Sequence, residues 1–167
     1  MNIYCYFDAN AAKPGDGEMI RLWKTSWERQ GWTPKILTPL SAKPHRRYAE
    51  FVEHIKGRPP YVQAGLMRWL ALDVVRGGWL SEFDLMNFSF KPVTPRESVR
   101  TYHGLTWLKP RAARKVSLEW MTGVPSCLLS SLRLDSVVYD HLGWETAPLV
   151  WFFGKPWAAV ANCPRKF

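Results

Sequence analysis

The chain has few of the features that would take it outside ordinary globular chemistry. Cysteine is scarce: Cys5, Cys127 and Cys163 are odd in number and share no metal-ligand spacing. Neither a disulfide framework nor a zinc module is therefore expected, and the three read as reduced thiols filling the core of a cytoplasmic protein. Long apolar runs are missing too. The longest candidate, Leu149–Phe153, is strand-sized, far short of the roughly 18 residues a membrane span needs. Met1–Tyr4 offers no basic stretch leading into an apolar one, so no secretory leader is expected. Repeats and low-complexity tracts are absent, and 47% apolar against 22% charged residues excludes disorder. The four histidines are scattered and read as surface or satisfied side chains. Acid is the last shortage: 14 Asp+Glu face 23 Lys+Arg, a net charge of +9 over 167 residues. That predicts attraction to polyanions and says nothing about fold.

The excess charge is unevenly placed. Residues 1–84 hold 12 Lys+Arg against 9 Asp+Glu, whereas residues 85–167 hold 11 against 5. Most of the surplus is Lys91, Arg96, Arg100, Lys109, Arg111, Arg114 and Lys115, opposed only by Glu97. Tyr102, His103 and Trp107 interleave with these cations, a mixture that suits phosphates and base faces. The plainer alternative is a solvated basic loop or helix edge. Ten tryptophans are many for this length, and they read as core or pocket wall.

Local patterns give an alternating α/β order. Ile3–Phe7 is a continuous apolar, β-favouring run that predicts a buried first strand, ending at Asp8. Met19, Trp23 and Trp27 lie four apart on one face of a helix over Glu18–Gln30, with Asp16 as its cap and Gly31 as its stop. Lys35–Thr38 reads as a second strand between prolines, and Arg46–Lys56 as a helix closed by Gly57. A strongly apolar helix follows over Tyr61–Val75, stopped by Gly77-Gly78, and Trp79–Ser81 reads as a third strand. Glu82 and Asp84 then fall at its carboxyl end, where open α/β sheets bind ligands. If the first and third strands are neighbours, Asp8 shares that rim. Further on, Arg111–Met121 reads as a helix, and Cys127–Leu132 and Leu149–Phe153 as strands. The expected fold is a single α/β domain over residues 1–167, a mostly parallel Rossmann-like sheet flanked by helices.

Two carboxylates two residues apart can share one hard divalent cation and leave positions open for phosphate oxygens. Glu-x-Asp alone is a common loop pattern, but its setting adds to it. The stretch Leu66–Asp84 places an arginine-bearing apolar helix before Gly-Gly, a short strand and the acids. It resembles the core signature of GT-A glycosyltransferases, in particular the branch of sugar transferases with a DXD motif found among capsular-polysaccharide-type enzymes. Tyr4–Asp8, Trp27 and Trp32–Pro39 resemble the opening of the same branch, and Ala147–Phe152 its late return toward the metal site. The likeness extends well over about residues 1–90 and poorly beyond.

The resemblance implies a GT-A-like fold and a nucleotide-sugar donor, above all a uridine diphosphate sugar, with Mn²⁺ or Mg²⁺ at the diphosphate. It implies Asp84 and Glu82 as the metal-holding and catalytic pair, and Phe7, Asp8, Arg68 and Trp151 as nucleotide-sugar contacts. Two positions depart from the pattern: Glu82 replaces the first Asp, and Trp151 stands where a His is frequent. The half from residue 91 onward is expected to face the acceptor, through Arg100, Lys109, Arg111, Arg114 and Lys115. A polyanion such as hydroxymethylated DNA suits that charge. A lipid-linked or capsular saccharide is the competing acceptor. A nucleic-acid-binding domain without transferase chemistry, or a metal nuclease, is the competing class.

Overall fold

The computed structural model describes residues 1–102, 104–122 and 149–151, and the expected strand over Cys127–Leu132 lies outside them. The chain begins with strand β1 (Asn2–Tyr6), helix α1 (Asp16–Arg29) and strand β2 (Thr33–Leu37). A one-turn helix α2 (Pro39–Ala42) and helix α3 (Tyr48–Ile55) lead to the long helix α4 (Pro60–Val74). Strands β3 (Gly78–Ser81) and β4 (Leu85–Asn87) follow, then a pair, β5 (Val99–Tyr102) and β6 (Leu105–Leu108). Helix α5 (Pro110–Thr122) and strand β7 (Leu149–Trp151) complete the described elements.

Five strands form one sheet in the order β2-β1-β3-β6-β5, and β4 pairs with β7 in a second, two-stranded sheet. β1 runs parallel to both β2 and β3, so the first and third strands are neighbours as expected. β6 is antiparallel to β3 and to β5, which makes the sheet mixed rather than mostly parallel. The antiparallel half comes from a stretch read as basic loop. The β-favouring residues of Val99–Leu108, with Gly104 at φ 71 in the turn, form a hairpin on the sheet edge.

The pleat divides the core in two. Ile3, Cys5, Trp79 and Leu105 face α1, with Trp23, Trp27 and Trp32. Leu80 and Leu108 face the other way, with Tyr4 and Tyr6 packed alongside, toward Phe51, Leu70, Leu72 and Val116 of α3, α4 and α5. α4 is buried around most of its girth, which explains its nearly uniform apolar sequence. Gly31 and Gly57 take positive φ just past α1 and α3, as expected for stops. Asp16 does not cap α1. Gly15, at φ 96, occupies the cap, and Asp16 accepts the Lys13 N–H at 2.7 Å.

Gly77 is required by more than its φ of 80: a Cβ there would stand 2.3 Å from the Leu108 carbonyl oxygen. The Gly-Gly pair therefore lets β6 approach β3 closely as well as ending the helix. Among the described residues no helix is long and apolar enough to cross a membrane.

Candidate functional site

Tryptophan positions the segment that carries the acids. Trp23 donates its indole N–H to the Ser81 hydroxyl at 2.8 Å, and Trp27 donates to the Leu85 carbonyl at 3.1 Å. Trp32 and Trp79 donate to the carbonyls of Phe90 and Val93, both at 2.8 Å. The chain on either side of Glu82–Asp84 is thus fastened to α1 by two indoles, each in the apolar core where an unmet donor is costly. Rings add to this: Trp32 stacks on Phe90 at 5.6 Å, and Trp79 meets Phe90 edge-on at 5.5 Å.

Between those two anchors the strand does not continue. The Leu85 N–H bonds to the Glu82 carbonyl at 3.2 Å, closing a turn, and the Glu82 N–H bonds to the Gly104 carbonyl at 2.8 Å. The acids follow the third strand as expected, and they lie in a turn, where extended alternation no longer applies. Glu82 is engaged by Arg68 of α4 in a half-buried ion pair. The Arg68 guanidinium also lies 4.8 Å from the Trp69 ring centroid. Arg68 therefore belongs to this rim, with Glu82 as its direct partner.

β1 brings its own end to the same place. Phe7 meets Phe83 edge-on at 6.1 Å, tying the two strand ends together. Asp8 accepts the Asn10 N–H at 3.0 Å, and its carbonyl accepts from Ala11, also at 3.0 Å. Trp151 reaches the neighbourhood by backbone pairing, opposite Leu85, the residue after Asp84. Phe7, Asp8, Arg68, Glu82, Asp84 and Trp151 thus gather at the carboxyl ends of β1 and β3.

Two groups beneath this rim have shifted acidities. Burial, helped by the charge of Glu82, pushes the Cys5 thiol up to about 12. Burial also raises the Tyr6 phenol, with Asp8 and Tyr48 adding to it, and its buried hydroxyl has no hydrogen-bond partner in the structure. Neither is a nucleophile at neutral pH.

No group of three or more His, Cys, Asp or Glu is assembled among the described residues. Mg²⁺ and similar cations need only one or two carboxylates and complete their shell with phosphate oxygens and water. The carboxylates of this turn are Glu82 and Asp84, and Glu82 is engaged by Arg68.

A family model described as a domain of unknown function, DUF8765, matches residues 1–102. The chain belongs to this family. The DUF8765 match spans β1 through β5, and so contains Phe7, Asp8, Arg68, Glu82 and Asp84. No curated protein and no solved structure matches this DUF8765 chain.

The basic residues divide. Arg100 is exposed on β5, and Lys109 donates to the Arg96 carbonyl at 2.6 Å. Arg111, Arg114 and Lys115 lie exposed on α5, which packs at the other end of β3. Trp107 is not a free stacking platform, since it packs against Trp79 at 5.6 Å. Sequence reasoning missed a further polar group. His45 Nε2 lies 3.0 Å from Asp73 Oδ2, and the Ser117 hydroxyl donates to the same oxygen at 2.9 Å. The only signal for it was an acid inside an otherwise apolar helix.

Proposed function

We propose that this protein is a nucleotide-sugar-dependent glycosyltransferase of GT-A-like fold, with its donor site at the carboxyl ends of β1 and β3. The observation that carries the proposal is the adjacency of those strands, which sets Phe7-Asp8 beside the Glu82–Asp84 turn and under Arg68. Phe7 and Phe83 offer an apolar wall for a nucleobase, and Asp8 an acceptor for ribose hydroxyls. Arg68 holds Glu82 and puts a positive charge where a leaving diphosphate gains negative charge. Asp84 and Glu82 would hold Mn²⁺ or Mg²⁺, which supplies Lewis-acid neutralisation of that diphosphate. In the transfer the bond from the anomeric carbon to the phosphate oxygen breaks, and an acceptor hydroxyl forms the new one, losing its proton.

The acceptor proposed with it is a polyanion such as hydroxymethylated DNA, on the strength of the +6 carried by residues 85–167. A base hydroxyl would have to leave the stack to reach the rim. The test is thermal shift with uridine diphosphate and its sugars, with and without Mn²⁺. Stabilisation that needs both nucleotide and cation is expected, because a ligand bound only to the folded state raises its stability. No stabilisation by any nucleoside diphosphate overturns the proposal. One observation favours a second reading, a non-catalytic nucleic-acid-binding domain derived from such an enzyme: Arg68 already neutralises one of the two motif carboxylates.

A further inference from the structure

At the opposite end of β3 from the acidic turn lies an open cavity of about 690 Å³. Its walls include Arg46 from the segment before α3, Arg76 from the turn before β3, and Arg111 and Arg114 from the first turns of α5. All four arginines are exposed, and among the described residues none of them forms an ion pair. Asp73 is the acid in the lining, and its Oδ2 already accepts from Ser117 and pairs with His45. The Arg47 N–H donates to His45 Nδ1 at 3.2 Å, which leaves Nε2 to carry the ring proton toward Asp73. The acid is thereby held against the wall rather than out among the guanidinium groups.

Like charges gathered together repel one another, and an anionic ligand offsets that repulsion. Arg76, at φ 64, is the left-handed residue that ends α4: the Gly77 N–H bonds to the Leu72 carbonyl at 2.8 Å and the Arg76 N–H to the Asp73 carbonyl at 2.9 Å. That turn fixes Arg76 beside the other three arginines at the cavity. The cavity is open to solvent and wide enough for a ligand larger than a lone ion. Guanidinium forks match phosphate oxygens in pairs. The start of α5 adds backbone N–H groups and the positive end of a helix dipole to the same wall.

We propose that the Arg46–Arg76–Arg111–Arg114 cavity is a metal-independent binding site for the phosphates of a nucleotide unit, whether free or within a nucleic-acid strand. It stands apart from the donor rim. β3 separates Arg76 from Glu82 by roughly 13 Å of strand, and no residue is shared. The proposal therefore does not depend on the transferase reading.

The experiment measures binding in EDTA, by fluorescence anisotropy for a labelled short oligothymidylate and by calorimetry for inorganic pyrophosphate. Wild type is expected to bind at least one probe, with affinity falling as salt rises. The double variant Arg111→Ala/Arg114→Ala should bind at least about tenfold more weakly. Arg76→Gly should also weaken binding while tolerating the positive φ, so a loss there is not a folding defect. Lys13→Ala/Lys24→Ala removes the same charge from the region of α1 and should change little. Oligothymidylate binding that pyrophosphate does not displace assigns the site to a strand, and tight pyrophosphate binding assigns it to a free phosphate compound. Failure of both probes overturns the proposal. So does equal weakening by the α5 pair and the lysine pair, or loss of binding in Asp84→Ala, which would place the phosphates at the rim.

Discussion

At the carboxyl end of β3 the cation Arg68 is bound to Glu82, whereas at its amino end four guanidinium groups surround a cavity with one acid held to its wall. The rim sets the acids Asp8, Glu82 and Asp84 against Arg68 and is fastened by indoles. The cavity is strongly positive and open. Charge that is already paired sets geometry, and charge that is unpaired awaits a partner. The net charge of the chain hides this contrast, because surplus cations near residues 91–115 are not next to the acids they follow in sequence.

Asp84→Asn separates the two ends most sharply. Under the proposed transferase activity, turnover should fall by at least about 100-fold, with phosphate binding at the arginine cavity unchanged. Surviving activity would remove Asp84 from the metal site. Gly77→Ala should disturb both ends, since it places a Cβ 2.3 Å from the Leu108 oxygen at a φ of 80. A loss of roughly 3 kcal/mol or more in urea unfolding is expected. Gly57→Ala is the control: its φ is 78 with nothing within 4 Å, so only about 1 kcal/mol should be lost.

Trp27→Phe keeps the ring but strips the donor from the Leu85 carbonyl. Stability should fall by about 1–2 kcal/mol, and nucleotide binding at the rim should weaken while the cavity is unaffected. Equal effects at both ends would mean that the indole supports the whole sheet. Arg68→Ala leaves the half-buried Glu82 without its cation, at a cost of about 1 kcal/mol. Under the proposed function the charge set against the diphosphate is lost as well, so stabilisation by Mn²⁺ with nucleotide should fall, and an unchanged response would remove Arg68 from the donor site.

The smallest effect is alkaline. The Cys5 thiol is raised from 9.0 to about 12, so its contribution is fully present below pH 9. It is lost as pH climbs from 9 toward 12, where the unfolded thiol ionises and the buried one does not. The decline of Tm above pH 9 should be shallower in Cys5→Ala. An identical decline would place the alkaline sensitivity elsewhere, with the Tyr6 phenol the next candidate.

Much of the first 84 residues was legible because the signals there are local. The Met19–Trp23–Trp27 spacing, the glycine stops and the apolar run of α4 each act within a few residues. The hairpin of β5 and β6 was not legible. Its Arg100 sits within a longer basic stretch that resembles a loop, and an edge strand tolerates charge on its open side. The end of the third strand at Ser81 was legible, and the turn that joins it to β4 was not. That turn is flanked by the Trp23 and Trp27 anchors, each 58 residues away in sequence. The basic segment was legible as charge but not as two separate places.

From residue order alone come the α/β alternation, the buried first strand, the acids after the third strand and the excess of cations. These follow from periodicity, turn chemistry and composition, which operate over one or two turns of chain. Strand order, the Arg68–Glu82 pair and the meeting of Arg46, Arg76, Arg111 and Arg114 were decided only in three dimensions. Arg46, Arg76 and Arg111 lie 30 and 35 positions apart in turn, and only the packing of helices against the sheet brings such charges to a common wall.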